Sequence, residues 1–122
     1  MGTYRQIFYQ LVFGTKNRKP TITKAHDEEL YRYIGGIIKN KNCKLYRING
    51  IEDHIHIMSD LHPTVCLSDY IKDIKVASSL WMKESGMFPA FESWQDARLT
   101  GRAGIWGIHL FGERKRHDNQ LY

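Results

Sequence analysis

Residues 53–59 read Asp-His-Ile-His-Ile-Met-Ser, and no other stretch limits the fold so tightly. Polar and apolar side chains alternate there with a period of two, which suits a strand and not a helix. On a strand, alternate side chains share a face and sit about 6.5–7 Å apart. Ile55 and Ile57 therefore point into a core, and His54 and His56 point together to the other side. Two imidazoles so placed on a rigid strand can converge on one metal ion. The residues alone also fit two half-exposed histidines on a sheet face, because a catalytic metal normally takes a third protein ligand and keeps positions open for water or substrate. Asp53 either orients one of these histidines from behind or is simply an acid at a strand start.

The periodicity of the remaining chain gives the strand its neighbours. Residues 4–13 (YRQIFYQLVF) put Ile7, Tyr9, Leu11 and Phe13 on one face, with Phe8 and Val12 making the other face apolar as well, so they predict a central strand. The basic loop GTKNRKP follows. Thr23 is the expected N-cap of a helix with Asp27, Glu28 and Glu29 at its positive end and Leu30, Ile34, Ile37 and Ile38 as its apolar stripe. Gly35 and Gly36 cost that helix roughly 1 kcal/mol each relative to alanine. Residues 43–49 (CKLYRIN) and 53–59 predict a hairpin that turns at Gly50. A second helix is expected over about 67–84, with Leu67, Tyr70, Ile71, Ile74, Ala77, Ser78 and Trp81 along one stripe. The order β-α-β-β-α needs one more strand to give an α+β, ferredoxin-like sandwich, an antiparallel sheet with helices on one face. Segment 104–111 (GIWGIHLF) is apolar enough to supply it.

Size and composition narrow the classes. A chain of 122 residues buries one core, so a single domain over 1–122 is expected. No segment approaches the roughly 18 uninterrupted apolar residues of a membrane span, and MGTYRQIFYQ lacks the layout of a signal peptide. A cytoplasmic protein without a membrane partner is the expectation. Cys43 and Cys66 are the only cysteines; far apart and with no CxxC, they read as reduced, buried bystanders. The formal net charge of +5 and the pI near 9.3 favour an anionic partner without identifying one.

GIEDHIHIM, at residues 50–58, resembles the HUH motif of the single-tyrosine transposases found in small bacterial insertion sequences and in their REP-associated relatives. The opening strand with GTKNRKP resembles that family's start, LSDYIKDIKVASSLW its second helix, and FESWQD the approach to its last strand. The resemblance covers about residues 4–96. It implies an enzyme that binds single-stranded DNA, usually as a hairpin. A tyrosine hydroxyl attacks a phosphodiester and becomes joined to the 5′ phosphate, which conserves the energy of the broken linkage for rejoining. It also implies Mg²⁺ or Mn²⁺ held by His54 and His56, and a homodimer.

After Asp96 the resemblance stops. The family continues with a strand and then a helix carrying the tyrosine, followed about one turn later by a glutamine that completes the metal site. Here the chain reads ARLTGRAGIWGIHLFGERKRHDNQLY. Any DNA encoding IWGIHLF, read one nucleotide later, permits the codons of YGAFTY, a family-like strand, and the final NQLY can likewise be re-read as NY followed by Ile. A reading-frame shift is therefore expected, and the gene sequence tests it. The chain would then lack the tyrosine helix. Tyr122 is the tyrosine nearest the expected place, with Gln120, and Asn119 beside it, as the amide ligand; Tyr122 follows Gln120, the reverse of the family's order. A frayed basic tail is the plain alternative.

Arg18 and Lys19 in the loop, and Lys72 and Lys75 on the second helix, are candidate phosphate contacts, with a solvated surface as the alternative. Arg114, Lys115 and Arg116 form a short basic run of the same kind. Trp81 and Trp94 are expected in or beside the core, with base stacking as the other reading. His26, His62, His109 and His117 are expected to be surface or packing residues. Beside active transposition stand two other readings: a catalytically dead hairpin binder, and an unrelated ferredoxin-like metal-binding protein.

Overall fold

The computed structural model describes residues 7–104. Strand β1 (Ile7–Thr15) leads through two short 3-10 turns, Lys16–Arg18 and Lys24–His26, into helix α1 (Asp27–Asn40). Strands β2 (Leu45–Ile51) and β3 (His54–Ser59) form a hairpin, helix α2 (Leu67–Ser85) follows, and β4 (Trp94–Gly104) closes the order. The strands lie in the order β2-β3-β1-β4, and β1–β3, β1–β4 and β2–β3 are all antiparallel. This is the ferredoxin-like α+β sandwich that the sequence predicts.

The alternation in β1 and β3 sorts the two faces. Leu11 and Phe13 pair in register with Ile57 and Ile55; all four are fully buried against Leu30, Ile34 and Ile38 of α1 and Tyr70, Ile74 and Met82 of α2. Cutting any of these aliphatic side chains back to alanine costs about 2–5 kcal/mol. The other face carries Phe8, Val12 and Met58, also buried, as expected for a β1 with two apolar sides and a strand neighbour on each edge.

Differences from the sequence reading lie at element ends. Thr23 begins the 3-10 turn rather than α1, and its side chain makes no capping hydrogen bond; the α-helix proper begins at Asp27. The fourth strand of the described sheet is Trp94–Gly104, starting ten residues before the 104–111 segment expected to supply it; residues 105–111 lie outside the described part. Its sequence carries no strand signal because it is a polar edge strand of the described sheet whose pairing with β1 shifts register between Gln10 and Leu11 and again between Gly14 and Thr15. Bulges at such shifts break the period of two that marks a strand. Cys43 is buried as expected, but Cys66 is exposed just before α2, where hydrogen bonds from Ser68 and the following backbone lower the pKa of its thiol. Trp94 is a core residue: its indole N–H donates to Ser78 Oγ (3.0 Å), and its ring packs edge-on against Phe13 and Phe91. Trp81 stacks on Tyr33 and packs against the core.

Candidate active site

β3 is an inner strand of the sheet, so its backbone is held on both sides, and the side chains it presents are fixed in direction. His54 and His56 emerge together on the face that the helices leave uncovered, with ring centroids 4.8 Å apart and ring planes 80° to one another. Asp53 Oδ1 lies 2.6 Å from His54 Nδ1. A carboxylate can only accept, so Nδ1 carries the proton, and the ring turns its other nitrogen, Nε2, away from Asp53. That is how a metal-ligating imidazole is usually oriented by a partner carboxylate. The His54 side chain is 18% exposed and that of Asp53 31%, which leaves the pair shielded yet open to a ligand from one side.

The donor set fits a divalent ion as two of its ligands. Among the described residues no group of three His, Cys, Asp or Glu side chains is arranged to hold a metal. Asp96 of β4 does not complete the set: it stands across β1 from His54, in register with Gly14, and lies 3.6 Å from Arg98.

Of the sequence candidates, Arg18 is brought to this face and Lys72 and Lys75 are not. Asn17 and Arg18 both adopt positive φ (55° and 52°), which turns the chain back on β1. The Arg18 guanidinium then lies over Gly14: a Cβ on Gly14 would meet its Nε at 3.0 Å and its Cζ at 3.3 Å. Gly14 is the register partner of His54. Lys19 follows in the same loop, exposed, its carbonyl accepting a hydrogen bond from the Thr15 hydroxyl (2.7 Å). Lys72 and Lys75 lie on α2, which packs on the opposite face of the sheet, so the His pair and these lysines cannot meet one phosphate. His26 lies 3.1 Å from Glu29 and His62 bonds to Thr64; both are surface residues in local contacts, as expected. Tyr122, Gln120 and Asn119, with Arg114, Lys115, Arg116, His109 and His117, lie outside the described residues.

Two residues of the site were not legible in the sequence. Arg98 stands in register with Val12, which is in turn paired with His56, so it shares the His face; the polar strand that carries it gave no periodic signal. Gly14 looked like the first residue of a loop, and nothing in its type announced that a side chain from downstream would cover it.

The family model described as IS200-like transposase matches residues 3–99, a span holding the whole described sheet except its last residues. The chain belongs to the IS200-like transposase family. Transposases act on DNA, so DNA is its partner. A solved structure from Deinococcus radiodurans R1, described as a candidate transposase, superposes with a TM-score of 0.68 at 17% identity, over 94% of this chain and 95% of that one. At that identity the likeness speaks for the fold alone. No curated protein matches the chain. Among the described residues of this transposase, no helix is long and apolar enough to cross a membrane.

Proposed function

We propose that this transposase binds single-stranded DNA folded as a hairpin and cuts and rejoins it through a tyrosine linked to the 5′ phosphate. The observation that carries the reading is the histidine pair: two imidazoles 4.8 Å apart on an inner strand, one of them oriented by a carboxylate at 2.6 Å. His54 and His56 would hold Mg²⁺ or Mn²⁺, with Gln120 the amide nearest the place of the glutamine that completes the family's metal site. Such an ion, when bound, polarises the scissile phosphate and stabilises the charge that builds on it.

The chain's own residues do the rest. Asp53 keeps the proton of His54 on Nδ1, so that Nε2 stays a lone-pair donor. The hydroxyl of the nucleophilic tyrosine, for which Tyr122 is the candidate nearest the family's place, forms the new P–O bond as the P–O3′ bond breaks. The proton lost from the phenol ends on the 3′ oxygen that leaves. Attack by that 3′ hydroxyl on the phosphotyrosine reverses the step. A phenol of pKa near 10 is a poor nucleophile unless its charge is stabilised where it reacts. Tyr70 is no substitute: it is fully buried on the helix side of the sheet, hydrogen-bonded to Ser59 (2.8 Å), and burial pushes its pKa up. By the same resemblance the active form is a homodimer, and the DNA that Lys72 and Lys75 would meet is a part of the hairpin away from the cleaved phosphate.

A second reading, a hairpin binder without chemistry, is favoured by the departure of the sequence from the family's pattern after Asp96, where the tyrosine-bearing helix is expected. An unrelated ferredoxin-like protein is no longer an alternative, because the family match spans residues 3–99. The deciding experiment mixes the purified chain with hairpin DNA from the ends of its own locus and Mn²⁺ or Mg²⁺. Denaturing gel and intact mass then report a protein–DNA adduct. An adduct lost in both His54→Ala and Tyr122→Phe supports the full reading. Salt-sensitive hairpin binding with no adduct leaves the binder. An adduct that survives Tyr122→Phe moves the nucleophile to another tyrosine, and sequencing the gene tests the frame-shift reading of the tail.

A further inference from the structure

The helix-free face offers the His pair more than metal ligands. Gly14 sits beside His54 in the β1–β3 register, about one strand spacing away, roughly 5 Å. It is buried, and the group over it is the Arg18 guanidinium, with Nε, Cζ and Nη2 at 3.0, 3.3 and 3.5 Å from where a Cβ would stand. Glycine gives the guanidinium its closest approach, and a Cβ there would push it back by a few tenths of an ångström. Arg18 itself is exposed, and among the described residues its side chain forms no ion pair.

The loop that puts it there is held against its own strain. Two consecutive non-glycine residues at positive φ cost on the order of 1 kcal/mol each or more. They persist because the loop is tied at several points. Asn17 N–H donates to Gln95 Oε1 (2.8 Å), Lys16 N–H to Ser93 O (3.1 Å) and Thr15 N–H to Asp53 O (3.0 Å). The buried Thr15 hydroxyl lies 2.7 Å from Lys19 O and 3.1 Å from Asp53 O. Asp53 therefore fixes the loop with its carbonyl and His54 with its carboxylate. One residue sets the position of a fork-shaped cation in the loop after β1 and of a metal-type imidazole on β3.

We propose that Arg18 is a phosphate-binding residue of the active site, gripping non-bridging oxygens of the phosphate that faces His54 and His56, and that Gly14 is the residue that lets it reach there. The inference rests on the reading of this face as the DNA-cleaving site. A guanidinium presents parallel N–H donors that match a phosphate in two-point contact, whereas an ammonium offers only a point charge. Of the basic loop's two candidates, Arg18 holds the cleaved phosphate, and Lys19 acts through the backbone carbonyl that accepts from Thr15.

The test measures binding of a fluorescently labelled single-stranded hairpin to the full chain by anisotropy over a range of salt, in Arg18→Gln, Arg18→Lys, Gly14→Ala and the double variant Gly14→Ala/Arg18→Gln. Mn²⁺ affinity is measured alongside by calorimetry. Arg18→Gln is expected to weaken hairpin binding about 10-fold and to lower the log–log salt slope by about one. Arg18→Lys restores the slope but not the affinity. Gly14→Ala, with every charge intact, makes the guanidinium give by a few tenths of an ångström, so it weakens binding by less than Arg18→Gln does, and adding it to Arg18→Gln changes nothing further. Mn²⁺ affinity stays at the parent value in Arg18→Gln. Full affinity in Arg18→Gln, or additive losses in the double variant, overturns the inference while hairpin and metal binding by the parent chain leave the wider reading standing. Should Gly14→Ala misfold, the contrast between Arg18→Lys and Arg18→Gln decides alone. A parent chain that binds no hairpin overturns the wider reading and the inference with it.

Discussion

A single added methyl group should act in opposite directions at two glycines of this protein. Gly36 lies in the exposed middle of α1, and a Cβ there meets nothing within 4 Å. Gly36→Ala therefore removes only the conformational freedom that glycine loses on entering a helix, and it should stabilise the fold by about 1 kcal/mol. Gly50 lies in β2, paired with Ile55, and a Cβ there would stand 2.3 Å from the His54 carbonyl oxygen, 2.7 Å from Ile55 Cα and 2.9 Å from Ile55 Cγ2. Two of those atoms are backbone, so no rotamer change relieves the overlap and the β2–β3 hairpin must open. Overpacking typically costs 1–3 kcal/mol, and an overlap with main chain belongs at or above the top of that range. Because the displaced carbonyl is that of His54, Gly50→Ala should also weaken Mn²⁺ binding, whereas Gly36→Ala leaves it unchanged. Urea unfolding followed by tryptophan fluorescence reads both variants against the parent, with an unchanged m-value certifying that the midpoint shift is a stability change. A Gly50→Ala protein within 0.5 kcal/mol of the parent would refute the steric argument, and so would a Gly36→Ala protein less stable than the parent.

Three other outcomes follow from named contacts. Asp53→Asn should lower Mn²⁺ affinity about 10–100-fold by releasing the His54 tautomer, seen by calorimetry; an unchanged affinity would mean that the 2.6 Å contact does not orient a ligand. Ser78→Ala should destabilise the fold by about 1–3 kcal/mol, because it strands the buried Trp94 N–H that donates to Ser78 Oγ; the same urea titration checks it. Burial raises the pKa of Tyr70 in the fold above its unfolded value near 10. The folded state therefore keeps a proton that the unfolded chain gives up, and stability should be intact below about pH 10 and fall as pH rises beyond it. Tyr70→Phe should lose that alkaline dependence, measured as Tm against pH; a Tyr70→Phe protein that keeps it would place the effect elsewhere.

Much of the sheet was legible because its inner strands carry their face assignment in the sequence. Ile55 and Ile57 alternate with His54 and His56 without interruption, and the two-sided apolar pattern of Phe8, Leu11, Val12 and Phe13 marks β1 as central. β4 was not legible. Its core-side residues Trp94 and Ala97 are spaced unevenly by a bulge near Gln95, and Arg98 and Arg102 interrupt any apolar run, so the more apolar segment downstream attracts the assignment. The helix stripes gave α1 and α2 to within a few residues, but the start of α1 depends on a 3-10 turn that periodicity does not register.

The candidate site divides along a similar line. The histidine pair is a local pattern, two residues on one strand, and needs no tertiary information to be seen. Arg18 entered the sequence reading only as one of several loop cations, because its place depends on a chain reversal through two positive φ angles. That reversal is held by Gln95 and Ser93, some 75 residues away in the chain. Lys72 looked equal to it in sequence, yet the fold sends the two to opposite sides of the sheet. Charge alone cannot separate them; the separation comes from which face of β3 carries the imidazoles and which face carries Ile55 and Ile57. The same alternation that buries those two isoleucines under α1 and α2 therefore decides which cations can share a phosphate with the histidines. A substitution that slipped β3 by one residue against β1 would exchange the two sets, burying both imidazoles and exposing both isoleucines.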